Sequence, residues 1–191
     1  MSNIKIANND FPIIDLIKNR WSARAFNGNP IGEKEFSALL EAARWAPSAN
    51  NEQPWMYLYA PNGTEGFDKI WECLMPGNQP WNKKAGGFIV TMAQKNYEKN
   101  QQPNPFAEHD LGLANTNILL QATSMGIYCH PMAGFDKAKL KQTFQIGEDQ
   151  NPVCIIALGY LDLPESLEEP FKERELTPRS RKSIEVISKR V

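Results

Sequence analysis

Two runs in this chain, residues 87–93 (GFIVTMA) and 153–160 (VCIIALGY), are apolar almost without a break. A strand with one face in water alternates apolar and polar residues, so a run without that alternation reads as a buried strand. Buried strands need cover, and helices are legible around them. Phe36, Leu39, Leu40 and Ala43 recur at i, i+3, i+4 and i+7 within residues 33–46, and Pro47 ends that helix. Thr64 is placed to cap a second helix, with Phe67, Ile70, Trp71 and Leu74 on one side. Asp110 is expected to cap a third over residues 111–125, apolar nearly all round and therefore central and buried, with Gly126 as its stop. Asp136 starts a fourth, and Asp10 is expected to cap a first one in which Pro12 is tolerated and Ile13, Ile14 and Ile17 share a face. Residues 55–60 read as an aromatic strand and 127–130 as a short extended piece; the polar stretch 94–105 is a surface loop. Strands and helices alternate without a regular βαβ rhythm. The expected class is therefore α+β, with helices packed on one sheet.

The 191 residues suit a single domain, 1–191. Its last part differs. From Leu161 onward (LDLPESLEEPFKERELTPRSRKS) prolines and charges crowd in, and such a segment is either a disordered tail or an arm that packs on something else. A formal net charge of −1 supplies no global field to attract nucleic acid or an anionic membrane, so neither partner is expected. The start, MSNIKIANNDF, has no apolar signal core, and no run is long enough to span a bilayer. A cytoplasmic location is expected by elimination. Cys73, Cys129 and Cys154 are odd in number and form no CxxC pair, which argues for reduced thiols rather than a disulfide framework.

Common catalytic signatures are missing. There is no GxGxxG turn, P-loop, GxSxG elbow or HExxH pair, and His109 and His130 are the only histidines, so no metal site is expected. A chain so poor in nucleophiles and ligands either binds something or borrows its chemistry from an organic cofactor.

Four segments stand out. Arg20-Trp21-Ser22-Ala23-Arg24-Ala25-Phe26 offers two guanidinium forks and a hydroxyl, a set that matches phosphate and polar ring oxygens. Alone, a solvated helix end accounts for it better. Residues 46–55, APSANNEQPW, place small and amide residues between two prolines, as in a rigid ligand-facing loop or a plain connector. His130-Pro131-Met132-Ala133-Gly134-Phe135-Asp136 is a tight turn of small residues that lets backbone approach a flat ligand, and is equally a strand-to-helix turn. Thr177-Pro178-Arg179-Ser180-Arg181-Lys182 is a basic knot in an acidic tail, suited to an anion or to solubility.

Together, in this order and spacing, RWSARAF, PSANNEQPW, PMAGFD and RSRK resemble the motifs of the nitroreductase-like family of FMN-dependent oxidoreductases, over nearly the whole chain. The resemblance implies a central mixed or antiparallel sheet flanked by helices, and an intertwined homodimer with FMN at its interface. The segment from about 161 to 191 becomes an extended arm that packs on the partner subunit. By resemblance, Arg20, Ser22, Arg179 and Arg181 hold the FMN phosphate, with Trp21 in the same segment. Arg24 sits at the pyrimidine edge and Asn78 reads the ring edge. Pro47, Ser48, Ala49 and Asn51 come from the other subunit, and Pro131, Met132, Ala133 and Gly134 run along the flavin with backbone donors. Ala49 stands where many members have serine, and Ala133 where some have glutamate, which leaves the backbone contact. Asp110 stands where some have glutamine beside the flavin, and either alters local electrostatics or caps its helix.

The implied chemistry is ping-pong electron transfer from NAD(P)H through FMN to a small aromatic or quinone-like acceptor. No side chain need act as acid or base, in keeping with the scarcity of histidine. The family layout puts residues 106–110 near the acceptor: Phe106 stacks on it and His109 donates a hydrogen bond, or Phe106 anchors the loop and His109 caps the helix. A specialised reductive dehalogenase or dehydrogenase, and a non-catalytic FMN store, remain alternatives.

Overall fold

The two apolar runs pair with each other. In the computed structural model, which describes residues 3–191, they become β2 (Gly87–Gln94) and β4 (Gln150–Gly159), antiparallel and adjacent. β1 (Trp55–Pro61) lies outside β2 and β3 (Tyr128–Met132) outside β4, giving the order β1-β2-β4-β3 with every pairing antiparallel. The sheet is thus antiparallel rather than mixed among the described residues.

Alternation along the strands decides what covers each face. Phe88, Val90, Met92, Ile155 and Ala157 point to one side, onto Phe67 and Ile70 of α3 (Glu65–Glu72), Trp81 of α4 (Gln79–Asn82) and Leu140 of α6 (Lys137–Phe144). Ile89, Ile156 and Leu158 point to the other. There they meet Phe36, Leu39 and Ala43 of α2 (Glu33–Arg44) and Ala114, Ile118 and Ala122 of α5 (Ala107–Ser124). Each fully buried Phe, Leu or Ile side chain contributes roughly 1.5–3 kcal/mol. Three short helices, α1 (Asp15–Asn19), α7 (Phe171–Leu176) and α8 (Ile184–Ile187), complete the set. No helix among the described residues is long and apolar enough to cross a membrane.

Local signals hold where nothing competes with them. Thr64 caps α3 by accepting from the Phe67 N–H, and Asp136 caps α6 by accepting from Lys139 at 2.9 Å. Gly126, at φ +71, stops α5. β4 begins three residues before Val153 and runs through Pro152, because the β2–β4 register shifts there and a bulge tolerates the missing N–H.

Other expectations need correction. Asp10 caps nothing: α1 starts at Asp15 after Ile14, since Pro12 keeps the residue before it extended. Asp110 is not a cap either. α5 starts at Ala107, and the Phe106 N–H is taken by Asn104 Oδ1 at 3.0 Å. Only one face of α5 is buried; Gly112, Leu113 and Thr116 are exposed in the single chain.

The tail is no free arm over its first half. Asp162 N–H bonds Ala25 O at 2.9 Å, Leu161 pairs with Phe26, and Glu175 on α7 is buried against Arg24 and Ala25. Residues 161–179 therefore dock on their own chain. From 180 on the residues are exposed, including Ile184, Val186 and Ile187.

His130 on β3 joins the sheet edge to the segment after α1, its Nδ1 lying 2.9 Å from Ala23 O. Burial, reinforced by the Arg24 guanidinium, pushes its pKa from 6.5 down to about 4. Between those values the unfolded chain binds a proton that the folded chain refuses. This contribution to stability is full above about pH 6.5 and is lost as pH falls toward 4. His130→Gln should flatten that stretch of the stability profile. Urea unfolding midpoints from pH 7 to 4 check this; parallel wild-type and variant profiles would refute it.

Candidate functional site

α1 turns extended at Arg20, and the chain then runs as a strand-like segment along β3. Period-two alternation sorts its side chains. Trp21 and Ala23 are buried in the core, Trp21 edge-on to Tyr128 with centroids 5.9 Å apart, whereas Arg20, Ser22 and Arg24 are half-buried. The Trp21 side chain is therefore committed to packing, which leaves its backbone for any ligand.

Arg179 comes back to this segment from the far end of the chain. Its Nη1 donates to Arg20 O at 2.5 Å and its Nη2 to Lys18 O at 2.6 Å, while its buried Nε has no partner. Arg20, Arg179, Arg181 and Lys182 line one cleft of about 580 Å³, with Asp10 and Ile17 on its walls. Burial lowers the pKa of Arg20, and Arg181 lowers it further; for Arg179 burial acts first, then Arg20 and Arg181. Among the described residues no salt bridge neutralises any of these three arginines. Converging guanidiniums are chemically suited to a compact anion such as a phosphate monoester.

The turn after β3 lies on the same side. Arg24 stands over the Trp81 ring at 5.6 Å, and Trp81 packs on His130. Met132 is buried, its Sδ accepting from Asn82 Nδ2 at 3.2 Å. Gly134 O accepts from Met75 N–H and from Asn78 Nδ2, both at 3.0 Å. A Cβ on Gly134 would fall 2.7 Å from Asn78 Nδ2, so only glycine allows the approach. The N–H groups of Ala133 and Gly134 have no protein acceptor among the described residues. Asn78 and the Pro131–Gly134 turn are thus brought together, with backbone donors to spare.

The remaining predicted residues form a second group. The loop from Pro47 to Gln53 holds Asn50, Asn51 and Gln53 at φ 55, 57 and 54, left-handed values. Ser48 Oγ accepts from Gln53 N–H at 3.0 Å, and the buried Asp110 carboxylate accepts from Ala49 N–H at 2.9 Å. His109 Nδ1 lies 2.9 Å from the other Asp110 oxygen, and its side chain is largely exposed. Phe106 is half-exposed in the single chain, and His109 sits inside the first turn of α5 rather than capping it.

This loop feeds β1, whereas residues 20–24 and 131–134 flank β3. The loop leads into one edge strand and the other group flanks the opposite edge strand, β1 and β3 being three strand spacings, or ~14 Å, apart. Glu175 was invisible in the sequence, as one acid in a charged tail; the signal that could have found it was the pair of buried N–H groups at Arg24 and Ala25, which need an acceptor.

Over residues 17–84 and 67–160 the chain matches the family model described as Nitroreductase family. A solved structure described as an oxidoreductase containing FMN is 30% identical and superposes with a TM-score of 0.92, over 98% of this chain and 96% of that one. A Methanothermobacter thermautotrophicus protein, provisionally named NADH dehydrogenase/NAD(P)H nitroreductase, is 30% identical over 154 residues, 78% of this chain and 76% of the relative. A nitroreductase family protein from Streptococcus pneumoniae TIGR4 shares the fold with a TM-score of 0.76 at 22% identity, covering 93% of this chain and 98% of that one. Matched through its sheet, its helices and three of its four motifs, the chain belongs to the nitroreductase family.

Proposed function

We propose that this protein is an FMN-dependent oxidoreductase that passes electrons from NAD(P)H to a small aromatic or quinone-like acceptor in a ping-pong cycle, and that it works as a homodimer. The observation that carries the reading is the convergence of Arg20, Arg179 and Arg181 on one cleft with no salt bridge to any of them among the described residues. FMN, when bound, supplies the two-electron chemistry, taking hydride from the nicotinamide and giving it to the acceptor. Arg20, Arg179 and Arg181, with Ser22, would hold the phosphate. Arg24 would stabilise negative charge at the pyrimidine edge, Asn78 would read the ring edge, and the free N–H groups of Ala133 and Gly134 would face the ring.

The second group supports the dimer. Pro47, Ser48, Ala49 and Asn51, with Phe106, His109 and Asp110, are tied to one another by the Ala49–Asp110 bond and would complete the partner subunit's site from the opposite sheet edge. Phe11, Ile14, Trp45 and Val186 are more than half exposed, and a second copy of the chain would cover them.

Purified protein should be yellow and release FMN on denaturation; chromatography recovering FAD, or no flavin, would refute the cofactor. Arg181→Ala should weaken FMN binding by roughly 1.5–3 kcal/mol, read by fluorescence titration. Anaerobic bleaching with each nicotinamide tests the donor.

Light scattering should find a dimer, and deletion of residues 183–191, with their exposed Ile184, Val186 and Ile187, should weaken it. A stable, flavin-loaded wild-type monomer would remove the shared site.

Phe106→Ala should change the efficiency ranking among nitroaromatics and quinones while flavin content stays intact. Steady-state kinetics on a small acceptor panel decides, and an unchanged ranking returns Phe106 to a passive role.

A further inference from the structure

α7 is six residues long and buries one of them, Glu175. A carboxylate leaves water only where it is strongly hydrogen-bonded. Glu175 Oε1 accepts from the N–H groups of Arg24 at 3.0 Å and Ala25 at 3.1 Å, and Oε2 from Arg24 at 3.2 Å. Around it the same stretch is stapled twice more. Lys5 Nζ donates to Arg174 O and Thr177 O, and Arg179 donates to Lys18 O and Arg20 O. Residues 174–179 are thus tied to residues 5 and 18–25, from the other end of the chain.

The need for such ties follows from charge. Arg20 and Arg179 are 159 residues apart in sequence, and Arg20, with Arg181, raises the cost of the charge on Arg179 when they are brought together. Lys5, Arg24 and Arg174 add to the positive field, and Glu175 is the acid that offsets it at Lys5 and Arg24. Without an anion in the cleft, the contacts that hold the cluster together are Arg179's bonds to the Lys18 and Arg20 carbonyls and those that Glu175 and Lys5 make beside them.

We propose that Glu175 is a positioning residue that pre-assembles the phosphate-binding arginines, so that preference for a phosphorylated flavin over its dephosphorylated form depends on it. This rests on the reading of the Arg20, Arg179 and Arg181 cluster as the FMN phosphate site. Glu175 is buried and does not line the arginine cleft; it fixes the backbone at Arg24 and, four residues along its own segment, that of Arg179.

The test compares FMN with riboflavin, which has the same ring and no phosphate, in full-length protein stripped of flavin. Affinities are measured by fluorescence titration for wild type, Glu175→Ala and Glu175→Gln, with circular dichroism on each. Glu175→Ala should weaken FMN about tenfold or more, the worth of one charge-assisted contact, and riboflavin by clearly less, through Arg24 at the ring edge alone. Glu175→Gln keeps an acceptor for the two N–H groups but drops the charge, and should lower the FMN-over-riboflavin ratio at least about threefold. It carries the test if the alanine variant does not fold. Equal weakening of both flavins would mean Glu175 only supports the fold, and an unchanged ratio in Glu175→Gln would likewise overturn the proposal. A wild type with no preference for FMN over riboflavin would instead overturn the phosphate reading beneath it.

Discussion

The β2–β4 pair has no face that water can solvate, and the rest of the molecule is arranged around that constraint. With Phe88, Val90 and Ile155 on one side and Ile89, Ile156 and Leu158 on the other, both sides demand helices. β1 and β3 are then left at the edges, half-buried, and it is at edges that chain can enter and leave. The Pro47–Asn51 loop enters at β1, and the segment after α1 lies along β3. The separation of the two groups of candidate residues is a consequence of how the core is covered.

A second constraint is electrostatic. Both ends of the chain bring cations to the same edge of the sheet, and burial makes each more expensive. Arg179 meets this cost by giving its Nη donors to carbonyls, and Glu175 by placing a carboxylate among backbone donors. The first device holds the Arg179 guanidinium and the second the backbone at Arg24 and Ala25, and neither neutralises Arg20 or Arg181. Partial ordering of this kind before an anion arrives lowers the ordering cost of binding it.

Legibility in the sequence followed the range of the interactions involved. The helical period of Phe36, Leu39 and Ala43 and the caps Thr64 and Asp136 concern residues a turn apart, and they hold. Asp110 has the same local chemistry as Asp136, yet its carboxylate goes to Ala49, 61 residues away, because Asn104 had already taken the helix entry. Asn78 and Gly134 were readable as candidates through motif resemblance, but their mutual contact was not, since it depends on the turn after β3 folding back over Met75. Glu175 is the extreme case. Its partners lie about 150 residues away, and nothing in EEPFKERE distinguishes it from the solvated acids before it.

The strained loop bears on why two subunits would be needed. Asn50, Asn51 and Gln53 each hold a left-handed backbone that costs about 1 kcal/mol, less for asparagine. A connector free to relax would shed that cost. Here Ser48 and the buried Asp110 hold the conformation from both sides, so it is the shape of the loop that is kept. That shape serves no contact with the chain's own arginine cleft, which lies across the sheet. On the proposed reading its use is external: the loop presents small side chains and amides to a ring whose phosphate is gripped by the other subunit. Affinity for the cofactor and association of the subunits then become one equilibrium, because each dimer contact that seats the loop also completes a flavin site.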